Sequence, residues 1–162
     1  MGLFDERIPY KPFEYPEYYT EGWLKQAQAF WLHTEIPMSG DVKDWNEKLN
    51  ESEKNLVGNI LLGFAQTECA VSDYWTQKVV GWFPKHEIQQ MAMMFQQMKW
   101  SVRDESLHSK MGCQLFRHMC SQIPGLKEEC KEHVYDAALT MHNAEMTYIS
   151  KLFEMGDIEG IT

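Results

Sequence analysis

Three stretches of this 162-residue chain repeat an apolar residue every three or four positions, and each breaks its own pattern with a carboxylate. That periodicity constrains the fold most, because a 3.6-residue repeat puts those positions on one face of an α-helix. Val57, Leu61, Phe64, Val71 and Trp75 make the first stripe, and Glu68 fills its gap. Met94, Met98, Ser101, Glu105, His108, Gly112, Leu115 and Met119 make the second. The third is Val134, Ala138, Met141, Glu145, Tyr148 and Leu152. An ionised carboxylate in a packing stripe is costly unless something compensates its charge.

The spacing predicts four main helices and no strand, an all-α helical bundle in a single domain over residues 1–162. Residues 1–20, rich in Pro, Tyr and Phe, are expected to form an extended arm. A first helix is predicted from about Glu21 to Glu35, ended by Pro37. Asp41 is expected to cap a short helix to about Leu49, and Asn50 or Ser52 to start a long one to about Val80. A third is predicted from Pro84 to about Cys120, and a fourth from Leu126 to Met155 with Gly156 just past its end.

The net charge of −9, with no basic run, argues against nucleic acid as a partner. Cys69, Cys113, Cys120 and Cys130 contain no C-x-x-C pair and read as free thiols of a reducing compartment. The start, MGLFDERIPY, does not resemble a signal peptide, and Glu6 stands where a myristoylation signal has Ser or Thr. No apolar run approaches the roughly 20 residues of a membrane span, so no membrane is expected and the location is expected to be cytoplasmic.

A helical bundle commonly uses such carboxylates to hold two metal ions, with a lone Glu from each of two helices and Glu-x-x-His from each of the other two. ESLH (105–108) has that spacing, and Glu68 stands as a lone Glu. Two carboxylates and an imidazole suit iron or manganese better than zinc. Metal candidates are therefore Glu68, Glu105 and His108. The competing reading is that His108 is a core histidine satisfied by Glu105 or Asp104. Glu145 reads as a helix-edge or ion-pairing residue, and His33 and Glu35 as surface residues.

Two blocks carry a family resemblance. One is FWLHTEIPMSGDVKDWNEKLNESEKNLVGNILLGFAQTECAVSDYW (30–75) with FPKHEI (83–88). The other is KWSVRDESLHSKMGCQLFRHM (99–119) and the sequence after it. The chain resembles the small, radical-generating subunit of class I ribonucleotide reductase, in phrasing of the phage and bacterial type. The resemblance implies a ferritin-like bundle and an enzyme subunit, active in ribonucleoside-diphosphate reduction for deoxyribonucleotide synthesis. It also implies a di-iron, iron/manganese or di-manganese centre that supplies an oxidising equivalent to a large catalytic subunit. Glu68, Glu105 and His108 then match metal ligands, and Trp31 and Asp104 match an electron and proton relay.

Against that family the sequence lacks a middle segment, with three ligands and a tyrosine position, and the C-terminal tail. The bundle is then incomplete or completed by a second chain, and a homodimer is expected. Two copies of Glu68, Glu105 and His108 would supply four carboxylates and two imidazoles. Two other functions fit the same residues: a half-size dimeric ferritin-like metal-binding oxidase, or a metal-free remnant acting as a binding module.

Overall fold

The computed structural model describes residues 2–9, 11–97 and 102–161, without the side chains of residues 96, 97 and 102–104. Among the described residues every regular element is helical. In order they are a π-helical segment Tyr18–Trp23, α1 (Leu24–Gln28), a 3-10 turn His33–Glu35, α2 (Ser39–Glu47) and α3 (Glu51–Asp73). There follow a π-helical segment Tyr74–Val79, α4 (Val80–Trp82), α5 (His86–Gln97), α6 (Val102–Gln122) and α7 (Leu126–Leu152). The all-α expectation holds. No helix among the described residues is long and apolar enough to cross a membrane.

The helix ends follow local chemistry. Asn50 and Glu53 form a reciprocal capping box, with Oδ1 of Asn50 accepting the Glu53 amide at 3.0 Å and Oε2 of Glu53 accepting the Asn50 amide at 2.8 Å. α2 begins two residues before Asp41, so Asp41 sits in the first turn rather than at the cap, where its charge favours the helix dipole. The first helix stops at Ala29 rather than running to Glu35, because Phe30, Trp31, His33 and Thr34 are weak helix formers. α5 starts at His86, not Pro84, with the Lys85 carbonyl accepting from the Ile88 and Gln89 amides. α7 ends at Leu152, and Gly156 with φ 107° lies in the turn beyond it. The expected continuity from α5 into α6 falls on residues 98–101, which lie outside the described residues.

Contacts divide the chain into two compact units, one from Met1–Trp31 and Glu68–Lys127, the other from Leu32–Thr67 and Glu128–Thr162. The first holds the larger core, in which Trp75, Val79, Phe83, Ile88, Met91, Phe95, Met111 and Leu115 are buried with Leu3 and Tyr18 of the N-terminal segment. The expected extended arm over residues 1–20 is shorter than that, because residues 16–20 are already helical, and the segment is tied to this core at several points. The Leu3 amide donates to Oε1 of Gln122 at 2.7 Å, and Phe4 stacks on Phe83. The Tyr15 amide donates to the buried Glu87 at 2.8 Å. Buried Lys85 pairs with Glu14 at 2.5 Å.

In the second unit the part of α3 up to Thr67 runs antiparallel to α7, with α2 beside α3. The Tyr148 hydroxyl donates to the Asn59 carbonyl at 2.8 Å, and Ser52 Oγ donates to the Met155 carbonyl at 3.2 Å. Gly63 is required here, because a Cβ would overlap the Tyr148 hydroxyl. The predicted stripes are only partly buried. Leu61 and Phe64 are exposed, as are Val134, Ala138, Met141 and Glu145.

The Lys85 ammonium beside Glu14 holds that carboxyl below its ordinary value, so the pair stabilises the fold above the ordinary carboxylate range and fades as pH falls through the lowered value. Glu14→Gln is expected to lower the melting temperature at neutral pH, and the gap from the parent should narrow on acidification. Thermal melts across that range check it; a gap that stays constant into acid contradicts it.

Candidate metal centre

Glu68 lies near the end of α3, where it is only 9% exposed. Seven residues on, about 10 Å along a helix, Trp75 stands in the π-helical segment and is 3% exposed. α6 carries Glu105 and His108 one turn apart. The imidazole is 5% exposed while its Glu105 neighbour is 49% exposed, and Nδ1 of His108 lies 3.5 Å from Oε1 of Glu105. The ring of His108 packs on Phe95 at 4.4 Å between centroids and on Trp75 at 6.4 Å, and those two rings meet edge to face at 5.0 Å. An apolar aromatic pocket thus fixes the imidazole, and the helix spacing holds the carboxylate over it.

Among the described residues no group of three or more His, Cys, Asp or Glu side chains lies close enough to hold a metal ion. Glu105 and His108 come together as a pair. Glu68 lies in the same unit and is buried, but among the described residues it does not join them in a group of three. Trp31 is half-buried in the link between α1 and the 3-10 turn. Asp104 lies in α6, and its side chain is outside the described ones. By donor chemistry, two carboxylates and one imidazole on two helices fit one half of a di-metal carboxylate set.

The family model described as "Ribonucleotide reductase, small chain" matches residues 7–99 and 82–162, which together span nearly the whole sequence. The chain belongs to the ribonucleotide reductase small-chain family. A probable ribonucleoside-diphosphate reductase small subunit of Invertebrate iridescent virus 6 is 38% identical over 95 residues, 58% of this chain and 25% of that protein. The small chain of Schizosaccharomyces pombe is 26% identical over 170 residues, 94% of this chain and 41% of that one. In Neurospora crassa the small chain is 37% identical over 70 residues, 41% of this chain and 17% of the relative. The chain therefore spans less than half the length of these relatives.

Two features of this small-chain fold escape the sequence pattern. Trp75 reads there as one more apolar residue of its stripe, yet it forms a wall of the histidine pocket. His118 carries no sequence signal, yet its Nδ1 shares a hydrogen bond of 2.8 Å with the hydroxyl of buried Tyr18, and burial raises the pKa of that phenol. The only signal for either is which ring meets which histidine, and spacing along one helix does not contain it.

Trp75→Ala removes the wall between α3 and the His108 ring, and its expected cost is about 3–5 kcal/mol of folding stability. Urea unfolding measures it; a loss under about 1 kcal/mol contradicts the packing role.

Proposed function

We propose that this small-chain protein serves ribonucleoside-diphosphate reduction for deoxyribonucleotide synthesis by holding part of a di-metal carboxylate centre. The observation that carries the reading is the Glu105–His108 pair, with its imidazole buried against Trp75 and Phe95, in a chain of this family. Glu105, His108 and Glu68 would hold iron or manganese, as a di-iron, iron/manganese or di-manganese centre. When bound, that centre would supply an oxidising equivalent to a large catalytic subunit.

The chain's own residues do the rest. The Phe95 and Trp75 rings exclude water from the imidazole and fix its plane. Glu105, half exposed, brings a negative charge to the ring edge, which favours a cation there. Glu68 adds a carboxylate from a second helix. By family resemblance, Trp31 and Asp104 relay the electron and proton. Two copies carry four carboxylates and two imidazoles, the count that a di-metal bundle site uses. A half-size metal-binding oxidase without a large partner uses the same donors, and a metal-free binding module uses none of them.

Anaerobic loading with Fe(II) or Mn(II), followed by elemental analysis, tests the proposal. About one metal per chain is expected, falling to background in His108→Ala with helicity unchanged. No uptake by the parent protein would contradict the metal reading and leave the binding module. Metal uptake with no stimulation of ribonucleotide reduction by an added large subunit would favour the oxidase.

A further inference from the structure

A cavity of about 100 Å³ lies where the N-terminal segment meets the start of α5. That is well below the roughly 300 Å³ at which sites for drug-sized molecules begin, so only a small group fits inside. Four of its ten lining residues are basic: Arg7, Lys11, Lys85 and His86. Glu14 and Glu87 are the acidic ones. The concentration of basic groups runs against the whole chain, whose net charge is −9.

Both carboxylates are engaged. Glu14 holds the Lys85 ammonium at 2.5 Å and the Lys11 ammonium at 3.1 Å. Glu87 is buried and accepts the Tyr15 amide at 2.8 Å. Among the described residues no carboxylate pairs with the Arg7 guanidinium. Its contact is instead a ring, with Nη1 of Arg7 3.2 Å from Nδ1 of His86.

That contact fixes the chemistry of the cavity's edge. A guanidinium only donates hydrogen bonds. Nδ1 of His86 is therefore the acceptor, and the proton of the ring sits on Nε2. The remaining N–H groups of Arg7 and the Nε2–H of His86 are left as donors, on two exposed residues. Lys11 adds an ammonium whose partner Glu14 is shared with Lys85. Donors grouped around a small cavity, with no acceptor left over for them, are what an oxyanion needs.

We infer that this cavity binds a phosphate group, free or as a monoester, with Arg7 as the main contact and His86 and Lys11 beside it. The guanidinium fork matches two phosphate oxygens at once, which a lone ammonium does not. Beneath it Lys85 is 1% exposed, and its pair with Glu14 ties the N-terminal segment to α5. Phe13 lines the same cavity and offers an apolar wall to the organic part of a monoester. The site is separate from the candidate metal centre. Phe95 stands nine residues beyond His86, about 13 Å along α5, and no lining residue is a candidate ligand.

Charge sets the strength and the direction of its changes. Three positive side chains against two negative ones, with His86 neutral, leave the lining at +1. One net charge with exposed donors gives binding on the order of millimolar. Taking the charge from Glu14 leaves two ammoniums without their carboxylate, so it should favour the anion.

Titration of the whole chain with inorganic phosphate at neutral pH and constant ionic strength, followed by amide NMR, tests the inference. Saturable binding is expected, with the largest shifts at residues 7–13 and 85–87. Arg7→Gln should weaken it about fivefold or more, while Glu14→Gln should tighten it severalfold, both with helicity unchanged by circular dichroism. Phenyl phosphate separates the two sources. Tighter binding than inorganic phosphate assigns the monoester, and equal or weaker binding assigns the free ion. Equal shifts with chloride at the same ionic strength overturn the inference, as does an affinity indifferent to Arg7→Gln. Because Arg7 is no candidate metal ligand, its variant also separates this site from phosphate captured by a bound metal ion.

Discussion

The packing of the His108 ring between Phe95 and Trp75 is the contact on which the first unit depends. It joins the end of α3, through its π-helical extension, to α5 and α6 by three rings that also touch each other. Remove the aromatic walls and the imidazole becomes an isolated polar ring in a cavity. Keep them and it becomes a fixed, dry donor. The same rings that anchor the core thus also fix the imidazole that the metal proposal needs.

The carboxylates stand differently from the imidazole. Glu68 is buried, while Glu105 reaches the surface half of its helix. Glu145 is exposed on α7, as its ambiguous place in the sequence suggests. The chain's three candidate donors make up half of a set, in a protein that matches its family over nearly its whole sequence but spans less than half of its relatives' length.

Much of the fold was legible because helix signals are local. The Asn50–Glu53 box, the turn after Gln122 and the start of α7 at Leu126 all follow from neighbouring residues. What failed was burial. The stripes at Leu61, Phe64 and Met141 have core-like spacing, yet these residues are exposed. Periodicity says which residues share a face and not whether a partner exists for that face. The Glu-x-x-His pair was legible for the same local reason. Trp75 and Phe95 as its walls were not, since they come from other helices.

Whether His108 binds the metal is the central question, and pulsed electron paramagnetic resonance on Mn(II)-loaded protein with 15N-labelled histidine answers it directly. The account predicts a nitrogen coupling from a coordinated imidazole, absent in His108→Gln although the chain's other five histidines are labelled. A spectrum without nitrogen coupling, or one that persists unchanged in His108→Gln, would contradict it.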